Sequence, residues 1–354
     1  MSELQRTSLF AEHQALKAKI VPFAGWDMPV QYTSVKDEVI AVRQNVGVFD
    51  VSHMGEFFVE GADAEAFVDS IVTNDILNAP MQKAIYSPLC RDNGTVVDDL
   101  IVYKLGPNRI MICVNASNID KDFAWMGSKH KGFNCTLTNK SNEFSLLAVQ
   151  GPKTYEVMKS IVSDFPDMEY YSVAELHGMI VARTGYTGED GFEIFGSHEC
   201  IKGLWADLMK RNVTPCGLAA RDVLRLEVCY PLYGHELNDD VTPLDAALGW
   251  TVKLNKKSFV GQAALLETKP KYKLVKLKLE KGIPREGYKV VNAQHEVVGE
   301  VTSGTMSVVL NQGIALARIE ISKFPKDEVF FVDIRGKFYN TEVTKKAFVT
   351  GGHK

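Results

Sequence analysis

The sequence predicts helix-and-strand domains followed by a small all-β domain. Three observations point there. The chain has 354 residues, too many for one ordinary core and enough for two or three domains. Up to about residue 270, strand patterns alternate with amphipathic helical ones. From about Tyr272 onward helical signals vanish, and alternating strands follow at short turn intervals. That is the pattern of a small β-barrel or sandwich. A domain boundary near residue 270 is therefore expected. No internal repeat or low-complexity tract is visible.

Hydrophobic residues make up 45% and charged residues 24%, the balance of a soluble globular protein. A formal net charge of -4 gives no reason to expect a nucleic-acid backbone as partner. No apolar run approaches the length that spans a bilayer. The start, Met1-Ser-Glu-Leu-Gln-Arg-Thr, lacks the basic and apolar regions of a signal peptide. A cytoplasmic location is expected. The six cysteines, Cys90, Cys113, Cys135, Cys200, Cys216 and Cys229, contain no Cys-x-x-Cys. They read as reduced core residues rather than a disulfide framework or a zinc site.

Taken in order, the chain opens with a helix near Leu9–Ala18 and a covered loop, Val21-Pro-Phe-Ala-Gly-Trp-Asp-Met-Pro. Ser34 caps a helix through Arg43, with Glu38 placed to complement its first turn. Phe57-Phe-Val-Glu-Gly is a strand ending in a turn, and Asp63 caps a helix to Val72. Arg109–Val114 is a strand. Ser117 and Asp120 then form a capping-box pattern that opens a helix with Ile119, Phe123 and Met126 on one face. Asn115 stands at the end of that strand, where it serves a ligand or its own local backbone. Further strands are Phe144–Gln150 and Met179–Arg183; further helices are Lys153–Ile161, Ile201–Lys210 and Leu218–Val228. The last domain reads as strands Leu274–Leu279, Val297–Thr302, Gly313–Ile319, Val329–Ile334 and Phe338–Val343.

Chemistry concentrates in a few places. Thr95-Val-Val-Asp-Asp-Leu-Ile-Val-Tyr103 reads as a buried strand with two carboxylates in its middle. Alternation puts Val97, Asp99, Ile101 and Tyr103 on one face and Val96, Asp98, Leu100 and Val102 on the other. A carboxylate among such neighbours is costly to bury alone. It calls for a ligand, a proton-handling role or a paired cation. In Thr184-Gly-Tyr-Thr-Gly-Glu-Asp-Gly-Phe-Glu-Ile-Phe, a glycine-rich turn feeds a strand in which Glu193 and Phe195 oppose Phe192 and Ile194. A carboxylate accepts two parallel N–H donors, so Glu193 suits an aminopyrimidine-like edge; a core Arg partner would serve equally. Arg221 and Arg225 lie one turn apart on a helix face. Arg221 falls in the first turn, where a cation opposes the macrodipole. An anionic ligand group or a buried acid would explain it. His53, beside Ser52, raises a Ser–His–acid triad that only a spatial arrangement can establish. The histidines have no metal-ligand spacing, and no dinucleotide or phosphate-loop pattern is present.

Taken together these segments resemble the aminomethyltransferases, the T-proteins of the glycine cleavage system. The matching pieces are Pro22-Phe-Ala-Gly-Trp26, Pro29-Val-Gln-Tyr32, Phe49-Asp-Val-Ser-His-Met-Gly55, Gly94-Thr-Val-Val-Asp-Asp-Leu-Ile-Val-Tyr103 and Val114-Asn-Ala-Ser117. Ala148-Val-Gln-Gly-Pro152, Gly185-Tyr-Thr-Gly-Glu-Asp-Gly-Phe-Glu-Ile194 and Gly217-Leu-Ala-Ala-Arg-Asp222 continue them in order. Leu226-Glu227, Tyr233-Gly234, Thr242-Pro243, Gly249-Trp250, Phe259-Val-Gly261 and Val301-Thr-Ser-Gly304 complete the set. The likeness spans nearly the whole chain.

The resemblance implies an α+β fold: a three-domain cloverleaf of two α+β domains with antiparallel sheets, a C-terminal distorted β-barrel and a central folate channel. The implied domains are 1–48 with 140–245, 49–139 with 246–270, and 271–354. By motif, Asp99 is implied as the catalytic residue. Tyr86, Asp99, Ile101, Tyr103, Asn115, Tyr186, Glu193, Arg221 and Arg335 are implied as folate contacts. Tetrahydrofolate is the implied co-substrate, without metal or nucleotide cofactor, and the lipoylated H-protein the implied partner. The implied reaction moves the one-carbon unit of the aminomethyl-lipoyl arm to tetrahydrofolate. A folate-dependent demethylase and a non-catalytic iron–sulfur assembly module share the fold. The latter carries a Lys-Gly-Cys-Tyr-x-Gly-Gln-Glu signature, and Lys257-Ser-Phe-Val-Gly-Gln-Ala lacks its Cys. Many relatives carry a Lys where this chain has Gln262.

Overall fold

The computed structural model describes residues 3–352. They divide into two compact units: residues 3–87, Leu100–Asp222 and 351–352 form the first, and Pro88–Asp99 with Val223–Thr350 the second.

The first unit begins with helix α1 (Phe10–Ala15) and a hairpin of β1 (Lys19–Phe23) and β2 (Trp26–Gln31). Helix α2 (Val35–Gln44) starts at Ser34, whose hydroxyl accepts from Asp37 N. Glu38 does more than complement the first turn. Its carboxylate is fully buried and accepts from Tyr32 N, Thr33 N and Gly217 N.

Two sheets follow. Strand β3 (Gly47–Asp50) belongs to the second of them. The first is built from β4 (Gly55–Glu60), α3 (Ala64–Ile71), β5 (Ala84–Cys90), β6 (Val96–Gly106), β7 (Arg109–Val114), α4 (Ile119–Lys129) and β8 (Thr136–Asn139), with strand order β5-β6-β7-β4-β8. The second adds β9 (Phe144–Gln150), α5 (Thr154–Ile161), β10 (Val173–Leu176), β11 (Met179–Ala182), β12 (Gly191–Ser197), α6 (His198–Lys210) and β13 (Thr214–Pro215), with order β10-β11-β12-β9-β3-β13. Pairing is antiparallel apart from the short parallel β13–β3 contact. Remove β3 and the two orders are the same, so the sheets are two copies of one strand–helix–three strands–helix–strand plan. Each copy turns from its first strand into its first helix through a left-handed glycine, Gly61 (φ 135°) and Gly151 (φ 136°), a conformation open to glycine.

Alternation decides which face each sheet buries against helices. Phe57 meets Phe123 of α4 with centroids 5.3 Å apart, and Phe192 and Ile194 join the core that Met158 of α5 and Leu204 and Leu208 of α6 complete. The opposite faces meet each other. Tyr103 of β6 packs edge-on to Phe195 of β12, and Phe58 of β4 tilts against Phe144 of β9. The helices therefore lie outside and the two sheets inside.

In the second unit, helix α7 (Leu218–Glu227) enters with its last half. Arg225 is buried there and bonds Glu236, Tyr230 O and Ser303. It is committed to a structural ion pair and does not double for Arg221. After α8 (Gln262–Glu267) comes a closed barrel of β14 (Tyr272–Leu279), β15 (Lys289–Val291), β16 (Val297–Ser307), β17 (Gln312–Glu320), β18 (Phe331–Ile334) and β19 (Lys337–Thr344), ordered β14-β17-β16-β15-β18-β19. Of the two all-β architectures open to the sequence, the barrel is present. Its core holds Val275, Leu277, Val301, Ala317 and Phe330. Strand β15 is the one barrel strand the sequence pattern missed; at three residues it is too short to show alternation. Gln262 bonds the carbonyls of Leu254 and Lys256. None of the six cysteines forms a disulfide.

Two helix-start expectations resolve differently. Ser117 lies inside a short 3-10 turn, Ala116–Asn118, and no side chain caps α4. Asp63 precedes α3 but gives its carboxylate to Asn134 N.

Glu56 carries a cost the sequence did not show. It is buried, and neither carboxyl oxygen has a hydrogen-bond partner among the described residues. Burial pushes its carboxyl well above the usual range. A group with a raised folded pKa loses its stabilising contribution as pH climbs from the unfolded carboxyl value of ~4.3. Glu56→Leu is therefore expected to stabilise the fold by ~1–3 kcal/mol. Urea melts should show a larger gain at pH 8 than at pH 5. Equal gains at both would mean that Glu56 does not titrate with an elevated pKa.

Candidate functional site

The inward face of β6 and β7 carries the first group of predicted residues. Tyr103 is fully buried and Ile101 half-buried. Register places Ile101 opposite Cys113, and Cys113 opposite Glu56, in one cross-strand row. Asp99 precedes them on the same strand face and is half-buried, whereas Asp98 on the other face is fully buried. Alternation thus separates the two carboxylates as the sequence predicts. Tyr86 is half-buried on β5, and Asn115 follows β7 with extended backbone.

Glu193 on β12 is brought to the same interior. Thr184 Oγ1 donates to its Oε2 at 2.5 Å, and Tyr103 OH reaches that oxygen at 3.5 Å. Burial raises the Glu193 pKa; the Thr184 hydrogen bond, the Arg221 charge and the Tyr103 hydroxyl oppose this without cancelling it. Burial also raises Tyr103 well above its usual range, with the Glu193 charge adding to it, so Tyr103 remains a phenol able to donate.

Arg221 sits in the first turn of α7, as predicted. Its guanidinium lies 4.6 Å from the centroid of the Tyr186 ring. No acidic side chain closes an ion pair with it among the described residues. Its charge favours the ionised form of Glu193. Seven predicted residues, Tyr86, Ile101, Tyr103, Asn115, Tyr186, Glu193 and Arg221, belong to the first unit, and Tyr103, Tyr186, Glu193 and Arg221 form one connected set; Asp99 is the last residue of a second-unit segment. Arg335 stands in the second unit on the exposed two-residue turn between β18 and β19, with left-handed backbone.

Sequence reasoning missed Gln150. Its side chain is fully buried at the end of β9. Nε2 donates to Thr184 O at 3.1 Å, and Oε1 accepts from Thr187 Oγ1 at 2.8 Å. The amide occupies the space a Cβ would need at Gly185, only 2.0 Å from Oε1. Gln150 thereby holds the loop that presents Thr184 to Glu193 and Tyr186 to Arg221. Arg43 braces the same loop through Thr187 O and Glu189. The signal was present in Gln-Gly-Pro before a helix, but its partners lie 34 and 37 residues away. A surface hollow lined by Ile161, His177, Glu199 and Asp207 contains none of these residues. No group of three or more His, Cys, Asp or Glu suited to a metal occurs among the described residues, and no helix there is long and apolar enough to cross a membrane.

Gln150→Ala is expected to loosen the loop, because two buried hydrogen bonds of ~1 kcal/mol each are lost. Amide exchange at Tyr186–Gly188 should rise by about tenfold while exchange in α5 and α6 stays put. Uniform acceleration across the unit would mark Gln150 as a general core residue instead.

Comparison with known proteins bears on what this arrangement does. Residues 9–256 match the family model described as the GCVT N-terminal domain, and residues 273–350 match the glycine cleavage T-protein C-terminal barrel domain. An aminomethyltransferase of Thermotoga maritima is 46% identical, covering 98% of each chain. Another, from Thermosipho melanesiensis, is 45% identical over 99% of each. The crystal structure of the glycine cleavage system aminomethyltransferase T from Bartonella henselae superposes with a TM-score of 0.94 at 32% identity, covering 99% of both chains. The chain belongs to the aminomethyltransferases of the glycine cleavage system.

Proposed function

We propose that the chain transfers the one-carbon unit of the aminomethyl-lipoyl arm of H-protein to tetrahydrofolate, releasing ammonia and the reduced lipoyl arm and giving 5,10-methylenetetrahydrofolate. The observation that carries this reading is the setting of Glu193. A half-buried carboxylate, gripped on one oxygen by Thr184 and faced by the Arg221 cation, suits a planar ring edge bearing adjacent N–H donors. The aminopyrimidine edge of a pterin has that form. Tyr103, Tyr186 and the aliphatic Ile101 supply flat apolar surfaces for a ring to lie against. The donor set fits the folate, with Tyr86 and Asn115 kept as further contacts.

The balance of bonds is simple. The C–S and C–N bonds of the aminomethyl thioether break, and two C–N bonds to folate form. The two folate N–H protons end on the departing ammonia and the thiol. Folate supplies the nucleophilic nitrogens, so the protein has to position and to stabilise charge. Asp99 is assigned the second task. Loss of ammonia or thiol from the donor carbon builds positive charge there, and a fixed carboxylate lowers the energy of that centre. Asp98, on the opposite strand face and fully buried, has a structural part instead. Ammonia release from aminomethylated H-protein with tetrahydrofolate tests the whole reading. Turnover of small sulfonium donors in its place would support the demethylase.

Asp99→Asn keeps the shape and removes the charge. Turnover should fall by about 10²–10³ with folate affinity nearly unchanged. Asp98→Asn should instead lower the melting temperature and leave the turnover of the folded fraction alone. Equal catalytic losses at both positions would defeat the face assignment.

Glu193→Gln replaces one acceptor oxygen by a donor facing the pterin N–H groups. Calorimetry on the folded variant should show tetrahydrofolate bound about tenfold or more weakly, the size of one charge-assisted hydrogen bond. A lower melting temperature with unaltered affinity would make Glu193 a core group only.

A further inference from the structure

His53 is singled out by the sequence and has no part in the function proposed above. It follows β3 in Asp50-Val-Ser-His-Met. A Ser–His–acid triad is not assembled around it. Ser52 donates through both Oγ (2.6 Å) and N (3.0 Å) to Asp50 Oδ1. The other oxygen, Asp50 Oδ2, accepts from Thr7 Oγ1 at 2.6 Å and lies 2.8 Å from His13 Nε2. Both groups that might have served His53 are taken.

The imidazole itself is 1% exposed, and Nδ1 has no hydrogen-bond partner among the described residues. Phe23 stands edge-on to its ring at 5.5 Å. Phe23 ends β1, and the partner strand β2 abuts the start of α7, where a Cβ on Gly217 would lie 2.3 Å from Val30 backbone atoms. One hairpin therefore braces both His53 and the helix turn that carries Arg221. Burial and then the Arg221 charge, against a smaller opposing effect of Asp50, push the His53 pKa down to about 3. The ring is neutral, with one nitrogen donating and the other accepting. An unmet polar atom in such a place is a cost to the fold, which an apolar ring would avoid. The cost is offset if a ligand completes the bond.

We propose that His53 is a substrate-binding residue: Nδ1–H donates to an oxygen of the bound folate that Arg221 also faces. A neutral N–H beside a guanidinium is a donor pair for a carbonyl or carboxylate oxygen, and folate offers both, one on the pterin ring and others on its glutamate. The proposal rests on the folate reading above.

The test uses full-length protein with ¹⁵N-labelled histidine, its His53 signals assigned by their loss in His53→Asn. Tetrahydrofolate should shift the His53 Nδ1 resonance. Tetrahydropteroate, which lacks the glutamate, separates the two oxygen sources: a retained shift assigns the pterin carbonyl and a lost shift the glutamate carboxylate. By calorimetry, His53→Phe should weaken tetrahydrofolate binding about tenfold, the equivalent of one hydrogen bond. His53→Asn, whose amide nitrogen can occupy the Nδ1 position, should recover most of that, and His53→Gln should not. Wild-type binding with an unmoved Nδ1 signal overturns the His53 contact and leaves the folate reading standing; so does undiminished binding by His53→Phe. A wild-type chain that binds no tetrahydrofolate overturns the folate reading, and the contact with it.

Discussion

Placing a carboxylate between two β-sheets is unfavourable unless its oxygens are met, and the interior of the first unit is arranged around that constraint at Glu193. Thr184 grips one oxygen, Tyr103 approaches the same one from the other sheet, and Arg221 supplies opposite charge. Each of these groups is itself held. Thr184 sits on a loop tied to Gln150. Tyr103 packs on Phe195. Arg221 enters through a helix whose preceding Gly217 donates to the buried Glu38. Removing any of these supports changes the environment of one carboxyl group. The site's chemistry and the packing of the two sheets are consequently difficult to alter separately.

The duplicated sheet plan explains how such an interior arises. Two copies of one unit each cover an outer face with their own helices. The inner faces are left to meet each other, and Tyr103–Phe195 and Phe58–Phe144 are where they do. Inner faces of this kind can carry polar side chains, because each helix-covered core is complete on the other side. Glu56, Tyr103 and Glu193 all lie on inner faces. The repeat leaves only a faint trace in the sequence. Its two copies share strand order and a left-handed glycine ahead of the first helix, but residue identity is confined to short matches such as Ser70-Ile-Val72 with Ser160-Ile-Val162. Strand β3, inserted between β9 and β13, further disguises it.

What was legible in the sequence was what depends on local geometry. Alternation along β6 and β12 separated Asp99 from Asp98 and Glu193 from Phe192 without knowledge of any partner. The loss of helical periodicity after Tyr272 located the barrel, and Ser34 was a readable cap because its bond spans three residues. What failed was either ambiguous in spacing or tertiary in origin. The Ser117–Asp120 interval fits a capping box as well as the start of a 3-10 turn, and the chain takes the turn. Glu38 looked like a first-turn acid, yet one of its acceptor bonds reaches Gly217, 179 residues away. Gln150 and the commitment of Arg225 to Glu236 belong to the same class.

The contrast between Glu56 and Glu193 separates an unpartnered acid from a partnered one more sharply than burial alone could. Both face the sheet interior, and burial raises both carboxyl groups. Neither oxygen of Glu56 has a hydrogen-bond partner among the described residues, so burial favours its neutral form. Around Glu193, a hydroxyl, a phenol and a guanidinium all act to restore the charged form. Selection for stability alone would remove such a group or pair it fully with the cation at hand. On the proposed reading, the carboxylate so arranged accepts from a ring edge with two N–H donors without displacing any of the three.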